Sequence, residues 1–236
     1  MNENKSTNFK LFWDIDGTLL RTNGAAAKPF AFAVSELIGK EVVIDRKQMS
    51  GLTDYEIAKK LLESSNRKID IKKITRMLEV YCELLPQSLK VGNVEKVGKI
   101  SETLGKLSGI KTIQVSIGTG NCLSGLNVKL SHVGLLKFFD LGDAYYASEI
   151  NWSRELIMKQ AFKSLDINQV GVVIGDSPRD IEVAKKCNLK VVAVTSGAHT
   201  KNELIVHDPD AILDGNWGLN ELLNVLNDIT LDLQAH

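Results

Sequence analysis

The sequence predicts an α/β fold in which helices cover a mainly parallel sheet and a helical segment is inserted near the N-terminal end of the chain. From about residue 111 onward, short apolar runs alternate with amphipathic stretches, which is the rhythm of βα units. The runs at 170–174 and 191–194 are apolar throughout, as expected of strands buried on both faces. Between the first predicted strand, at 11–13, and the strand at 112–117, three helical patterns follow one another without a convincing buried strand.

The core elements follow this rhythm in chain order. Apolar runs predict strands at 11–13, 112–117, 171–174 and 191–194. Apolar residues at a spacing of roughly 3.6 residues predict helices after the later strands, at 122–132, 152–165, 177–188 and 219–228.

Three helices are predicted in the inserted segment. The first covers 25–38. The second begins at Thr53, where Thr53 and Glu56 form a capping-box pattern in which each satisfies a free backbone N–H. The third is capped by Asp70 and ends before Pro86.

A helical insertion directly after the first strand lies over the carboxyl end of that strand, which is the position of a lid or cap. We therefore predict a core domain formed by residues 1–20 and 90–236 and an all-helical cap domain formed by residues 21–89. Hinges are expected near 20–24 and 85–94.

Composition narrows the classes of partner. Lysine plus arginine equals aspartate plus glutamate, at 29 each in 236 residues, so no global field draws the protein to nucleic acid or to an anionic membrane. The expected partner is a small molecule, and the protein is expected to be a monomer or a homodimer.

The N-terminal segment 1–8 is polar, and no later segment approaches the ~20 apolar residues of a membrane span. The three cysteines lie far apart in sequence without a CxxC pattern, which argues against a disulfide framework or a zinc site. These features predict a soluble protein of the cytoplasm.

The run from Phe12 to Leu20 carries the most informative chemistry. Asp14 and Asp16 emerge from the end of an apolar strand on the same face, because alternate side chains of a strand share a face. Two like charges held so close repel unless a cation or a reacting group lies between them, which points to a hard metal ion. Gly17 then turns the chain away without crowding the opening.

Two more loops follow predicted strands and bring compatible groups. The stretch 118–121 contains Thr119, Gly120 and Asn121, which offer a hydroxyl and free backbone N–H groups to the oxygens of an anion. The stretch 175–180 adds two carboxylates. With Arg154, which opens a predicted helix, all of these groups are expected to meet at one edge of the sheet.

In this order, the DxDGT stretch at Asp14, the Thr119 loop, Arg154 and the acidic stretch 175–180 resemble the motifs of the haloacid dehalogenase-like hydrolases. The chain is most similar to the phosphoglycolate phosphatase-like group, whose helical cap follows the first strand. The resemblance runs from about residue 9 to residue 224. It implies a Rossmann-like core and a Mg²⁺-dependent phosphatase that hydrolyses a small phosphorylated metabolite, phosphoglycolate-like or a sugar phosphate, through an aspartyl phosphate.

The resemblance also implies roles for single residues. Asp14 is the nucleophile and a metal ligand, and Asp16 is the acid and base that offers the metal its backbone carbonyl. Thr119 binds the transferring phosphoryl oxygens, together with Gly120 and Asn121. The remaining positions of the acidic stretch are Asp176, as a Mg²⁺ ligand, and Asp180, as a further ligand or a support for the ligands.

The chain departs from the family pattern at one position. The family usually has a lysine where Arg154 is the best-placed cation here, although arginine keeps the charge and can bind phosphate bidentately. Lys159 and Lys163 are weaker candidates for the same role. In the cap, Lys28 and Asp54 are candidates for contact with the substrate.

Other interpretations stay open. Taken singly, the acidic pair predicts a turn, Thr119 a helix cap, Arg154 a surface cation, and Ser177 with Asp180 a helix start. The same constellation also suits a phosphomutase of the β-phosphoglucomutase type, or a protein that binds phosphate without catalysis.

Overall fold

A computed structural model describes residues 7–68 and 70–235, so most of the polar segment 1–8 lies outside the described residues. A six-stranded sheet forms the centre of the molecule, in the order β5-β4-β1-β6-β7-β8. Every neighbouring pair in it is parallel, as the sequence predicts. Its strands are β1 Asn8–Trp13, β4 Ile113–Cys122, β5 Tyr145–Ala147, β6 Gln169–Gly175, β7 Lys190–Val194 and β8 Ala211–Leu213.

Strand β1 lies in the middle of the sheet because the last three residues of the strand are apolar toward both faces. Leu11, Phe12 and Trp13 are fully buried. Trp13 is aligned with Ile117 of β4 on one side and with Ile174 of β6 on the other. Residues 118, 14 and 175 therefore lie side by side at the carboxyl edge of the sheet, in the order β4, β1, β6.

Two layers of helices cover the sheet. Helices α6 and α7 pack on the face of Phe12, and helices α4, α5 and α9 pack on the face of Leu11 and Trp13. The helices are α1 Ala27–Ile38, α2 Asp54–Ser64, α3 Ile71–Val91, α4 Ile100–Leu107, α5 Leu123–His132, α6 Arg154–Lys163, α7 Pro178–Lys186, α8 Lys201–Ile205 and α9 Leu219–Ala235.

The helical insertion, residues 27–91, contains α1, α2 and α3, which share one hydrophobic cluster with the α6 and α7 face of the core. A short antiparallel ribbon joins its two ends to the core, with β2 Leu20–Arg21 paired to β3 Glu95–Lys96. Both strands of the ribbon fall at or beside the predicted hinges. The division into a core domain and a cap domain stays a prediction.

Local capping signals in the sequence are confirmed. Thr53 accepts a hydrogen bond from the backbone of Glu56, and the Glu56 carboxylate accepts from the backbone of Thr53 at 2.9 Å. Asp70 caps α3 through the backbone of Lys72. Ser177 caps α7 in the same way as Thr53 caps α2.

The predicted end of the third helix is wrong. Helix α3 continues to Val91, with Pro86 inside it. Proline at this position removes one hydrogen bond to the carbonyl four residues earlier, at a cost of about 3 kcal/mol or more. Leu85 and Leu89 lie on the buried face, and their burial offsets this cost because each contributes roughly 1.5–3 kcal/mol.

One further boundary differs from the expectations, and four short elements were not expected. The stretch 118–121, expected as a turn, belongs to β4, which runs to Cys122 and reaches β5 through an irregular register. The short elements β5, β8, α4 and α8 were not predicted, because three to eight residues carry too little periodicity to identify a strand or helix. Within the described residues, no helix is both long and apolar enough to span a membrane.

Candidate active site

The polar groups that the sequence singled out lie at the carboxyl ends of three neighbouring strands. Asp14 follows β1, Thr119 lies near the end of β4, and Asp176 follows β6. Since β4 and β6 both pair with β1, these ends adjoin one another. Arg154 is the first residue of α6, and Asp180 lies in the first turn of α7.

The two carboxylates that follow β1, Asp14 and Asp16, differ in their exposure to solvent. Asp14 is buried, whereas 41% of the Asp16 side chain is exposed, and the intervening Ile15 is buried in the core. Gly17 has a φ of 84°, and a Cβ there would clash with the carboxylate of Asp176. The expectation that residue 17 needs glycine is confirmed, because a side chain would be both strained and obstructed.

Arg154 bridges two of the buried carboxylates. Its Nη1 lies 3.2 Å from Oδ1 of Asp14, and its Nη2 donates to Oδ1 of Asp180. Although burial works against the charged form, these two carboxylates raise the pKa of the guanidinium. Arg154 is 1% exposed. It is therefore not the surface cation of the alternative interpretation.

Three buried carboxylates form an acidic cluster. Oxygens of Asp14, Asp176 and Asp180 all lie within 4.8 Å of one another. Burial raises the pKa of Asp14 to about 6, with Asp180 and Asp16 acting in the same direction and Arg154 against it. Burial and the same neighbouring carboxylates hold the pKa of Asp176 well above its usual value.

The chemistry of this cluster fits a hard divalent cation. All three donors are carboxylate oxygens, the ligands that such ions prefer. Arg154 already pairs with Asp14 and Asp180, but Asp176 has no ion pair among the residues that the structure describes. Like charges buried together need a further positive charge to stay ionised near neutral pH.

Asp180 serves the helix start and the site at once. Its Oδ2 accepts hydrogen bonds from Ser177, at 3.1 Å from the backbone nitrogen and 2.7 Å from the hydroxyl. Its Oδ1 accepts from Arg154. The capping box thus fixes the carboxylate that in turn orients Arg154.

The β4 loop brings its polar groups toward Asp14 and Asp16. Thr119 is fully buried, and its hydroxyl acts to lower the pKa of Asp14. Asn121 donates from Nδ2 to Oδ2 of Asp16 at 2.8 Å and to the Thr119 hydroxyl at 3.0 Å. Gly120 lies against the backbone of Leu52, so a Cβ there would be 2.8 Å from the Leu52 oxygen.

Lys129 is a site residue that the sequence reasoning missed. It extends from α5, is 3% exposed, and places Nζ 2.5 Å from Oδ2 of Asp16 and 2.5 Å from Oδ1 of Asn121. A signal was present in the sequence: Lys129 lies on the apolar face of its helix, between Leu126 and Leu130, where a lysine is seldom buried without a partner.

The loop after β7 was also missed. Ser196 donates to the carbonyl of Gly17 at 2.6 Å, and a Cβ on Gly197 would overlap the Asp176 carboxylate. The apolar run 191–194 followed by small residues is the same signal that identified the other loops. This loop closes the space around Asp176.

The helical insertion contacts the site directly. Asp54 is buried and accepts a hydrogen bond from the backbone of Cys122 at 2.8 Å, and burial raises its pKa. The Sγ atoms of Cys82 and Cys122 lie 3.5 Å apart as free thiols. Cys82 lies in α3 of the insertion and Cys122 at the end of β4, so the two thiols, distant in sequence, meet where the insertion packs on the core.

A cavity of about 660 Å³ lies between the insertion and the strand ends. Asp14, Asp16 and Asp176 form its floor together with Arg154 and Lys129, and Asp54 borders it from the insertion. Arg21 and Arg46 add positive charge to the wall. The rest of the wall consists of apolar side chains of the insertion, which are Phe30, Ile44, Met49, Ile57 and Tyr81. Lys28 is exposed and lies outside this lining.

Comparison with known proteins gave one family match. The family model of the haloacid dehalogenase-like hydrolases matches residues 11–194, which is more than half of the chain. No curated protein sequence matches this chain significantly.

Solved structures share the whole fold. A predicted phosphatase from Clostridium acetobutylicum is 20% identical with a TM-score of 0.70, and the match covers 94% of this chain and 99% of that one. A predicted phosphoglycolate phosphatase from Haemophilus somnus is 14% identical with a TM-score of 0.65, covering 94% and 100%. A proposed beta-phosphoglucomutase from Bacteroides vulgatus is 15% identical with a TM-score of 0.71, covering 94% and 90%. At these identities the likeness shows the fold alone.

Proposed function

Because the chain belongs to the haloacid dehalogenase-like hydrolases, we propose that it is a Mg²⁺-dependent phosphatase that acts on a small phosphorylated metabolite in the cytoplasm. One observation carries the proposal: a buried carboxylate, Asp14, stands beside a half-exposed one, Asp16, next to a cluster of further carboxylates in a cavity between the insertion and the strand ends. The first suits a nucleophile, and the second suits a group that exchanges protons with a substrate.

The reaction consists of two transfers at phosphorus. A carboxylate oxygen of Asp14 attacks the phosphorus, the bond to the leaving oxygen breaks, and Asp16 donates a proton to that oxygen. A water molecule then attacks the aspartyl phosphate while Asp16 takes its proton. The bond between phosphorus and Asp14 breaks, and phosphate and the free carboxylate of Asp14 are restored.

Asp14, Asp176 and the backbone carbonyl of Asp16 would hold the ion, with Asp180 as a further ligand or a support for the ligands. When bound, Mg²⁺ supplies positive charge against the negative charge that spreads over the phosphoryl oxygens in the transition state. The high pKa values of Asp14 and Asp176 support this assignment, because both carboxylates need a neighbouring cation to stay ionised at neutral pH.

The other side chains bind and orient the phosphoryl group. Arg154 lines the cavity beside Asp14, so its guanidinium group supplies positive charge next to the phosphoryl group. Gly120 and Asn121 line the same cavity from the β4 side, and the fully buried Thr119 hydroxyl lies behind them, where it accepts from Asn121 and acts on Asp14. Positioning and charge neutralisation of this kind supply most of the catalysis in phosphoryl transfer.

The test is turnover of p-nitrophenyl phosphate in Mg²⁺, with release of inorganic phosphate as the readout. Asp14→Asn should abolish turnover, and Asp176→Asn should lower it and weaken its dependence on Mg²⁺ concentration. Asp228→Asn, at an exposed residue of α9 outside the cavity lining, is the matched control and should keep wild-type activity. Full activity in Asp14→Asn would exclude the nucleophile assignment, and phosphate binding without turnover in the wild type would leave a binding protein.

A phosphomutase is the second candidate, favoured by the likeness to the proposed beta-phosphoglucomutase. It uses the same aspartyl phosphate but returns the phosphoryl group to a sugar rather than to water. Hexose 1-phosphates separate the two: release of free phosphate without an isomeric product excludes the mutase, and isomer formation without phosphate excludes the phosphatase.

A further inference from the structure

Lys129 is a buried charge that the proposed reaction leaves without a role. It lies on the inner face of α5, among residues that pack into the core, and its ammonium group reaches the edge of the cavity. Its two close contacts are Oδ2 of Asp16 and Oδ1 of Asn121, both at 2.5 Å. Both partners belong to the site.

A purely stabilising role does not account for this lysine. Removing an ammonium group from water costs several kcal/mol, and a buried ion pair seldom returns more than a well-packed apolar side chain would. The hydrogen-bonded partner of Lys129, Asp16, keeps 41% of its side chain in contact with solvent, and the nearby buried Asp54 adds to the negative charge that Lys129 faces. An exposed carboxylate does not need a buried lysine for its own solvation.

The contacts around Asp16 are unequal between its two oxygens. Oδ2 accepts from Lys129 and from Nδ2 of Asn121, whereas no hydrogen bond to Oδ1 is found within the described residues. Asn121 is itself fixed, since it also donates to Thr119 and accepts from Lys129. A proton carried by this carboxyl group is therefore placed on Oδ1, because Oδ2 is already occupied by two donors.

We propose that Lys129 is a positioning residue that, with Asn121, holds Oδ2 of Asp16 and so presents Oδ1 and its proton to the leaving oxygen. The inference rests on the proposed phosphatase function and deepens it: the enzyme is built for phosphate esters of alkyl alcohols, which leave only when protonated. In the step concerned, the O–H bond of Asp16 breaks, a new O–H bond forms on the leaving oxygen, and the P–O bond breaks. Lys129 keeps its own protons throughout.

The experiment compares two leaving groups in the wild type and in Lys129→Met. p-Nitrophenyl phosphate releases a phenolate that needs little help from an acid, whereas glycerol 1-phosphate releases an alkoxide that must be protonated. kcat/KM is the quantity to compare, because it reports the step in which the alcohol departs. Methionine is chosen because it keeps the length and packing of the lysine stem.

We expect Lys129→Met to lower kcat/KM for glycerol 1-phosphate by about 100-fold or more, the scale of general acid catalysis, and that for p-nitrophenyl phosphate by less than about 10-fold. Asp16→Asn should show the same division between the two substrates. Lys129→Gln, which can still donate to Asp16, should fall between the wild type and Lys129→Met. It also serves if the methionine variant does not fold, which thermal unfolding would reveal.

Lys106→Met is the matched control. Lys106 forms an exposed ion pair with Glu102 on α4, and its replacement should leave kcat/KM unchanged for both substrates. Equal losses for both substrates in the Lys129 variants, or no loss for either, would overturn the inference while the phosphatase function stands. A wild-type protein that hydrolyses neither ester overturns the proposed function itself, and the inference with it.

Discussion

At the scale of single residues, Arg154 shows how one side chain serves two neighbours. The guanidinium group presents several N–H donors in a fixed plane, so one arginine reaches both Asp14 and Asp180. A lysine in the same place has one nitrogen and would favour one carboxylate. Arginine at this position therefore keeps the charge that a lysine would supply and gives the contact a different geometry.

Replacing Arg154 tests this role. Arg154→Met leaves two buried carboxylates without their cation, so we expect a loss of about 3–5 kcal/mol in the free energy of unfolding and loss of activity. Arg154→Lys should keep more of the stability and more of the activity than Arg154→Met does. Urea denaturation measures the first quantity and phosphate release the second.

Arg76→Met provides the control for the Arg154 variants. Arg76 is an exposed residue of α3, and its replacement should change the free energy of unfolding by less than about 0.5 kcal/mol. An Arg154→Met protein as stable as this control would contradict the bridging role.

At the scale of elements, the contact between the helical insertion and the end of β4 depends on the absence of a Cβ at Gly120. A Cβ on Gly120 would lie 2.8 Å from the oxygen of Leu52 and 2.9 Å from Cα of Thr53. Thr53 in turn caps α2 and donates to the carbonyl of Trp152 at 2.5 Å. The first turn of α2 thus packs directly on the end of β4.

Gly120→Ala should displace this contact. Both atoms it would meet belong to backbone, so they cannot turn aside as a flexible side chain can. We expect a cost of roughly 1–3 kcal/mol in the free energy of unfolding and a loss in kcat/KM of at least about 10-fold, measured by urea denaturation and steady-state kinetics.

Gly105→Ala is the matched control for this prediction. Gly105 lies within α4, and the nearest atom to a Cβ there is 3.7 Å away on Phe138. Alanine should increase stability by up to about 1 kcal/mol, because it is the better helix former. Equal effects of the two substitutions would contradict the contact described at Gly120.

Elements differed in how well the sequence predicted them. The starts of α2, α3 and α7 were predicted correctly because Thr53, Asp70 and Ser177 satisfy free backbone N–H groups with their own side chains, a strictly local interaction. The end of α3 was not, because the apolar contacts that carry the helix past Pro86 come from residues far away in sequence.

At the scale of the whole molecule, the carboxylates gathered at the sheet edge couple stability to pH. The folded-state pKa of Asp14, about 6, lies above its ordinary value of 3.8, chiefly because the group is buried. The folded protein therefore holds this proton more tightly than the unfolded chain. The favourable contribution is complete below about pH 4 and is lost as the pH rises through 6.

The comparison of wild type with Asp14→Asn isolates this contribution. In EDTA, we expect the variant to gain about 2.5 kcal/mol in the free energy of unfolding relative to the wild type between pH 4 and pH 7, since each pKa unit corresponds to about 1.4 kcal/mol and the unfolded chain is already partly ionised at pH 4. Urea denaturation at both pH values measures it.

Mg²⁺ should offset the loss of stability that the wild type shows relative to Asp14→Asn at pH 7. The ion stabilises the ionised cluster, so it should raise the melting temperature of the wild type at pH 7 more than that of Asp14→Asn. A difference between the two proteins that does not change with pH would contradict the raised pKa of Asp14.

The sequence by itself determined the parallel α/β sheet, the helical insertion and the strand-end positions of Asp14, Thr119 and Asp176. Those features depend on apolar periodicity and on chain order, which are local properties. Only the tertiary structure decided that Lys129 holds Asp16, that Arg154 bridges two carboxylates and that Gly197 makes room for Asp176. Such contacts join residues tens to hundreds of positions apart, and packing in three dimensions selects them rather than any pattern along the chain.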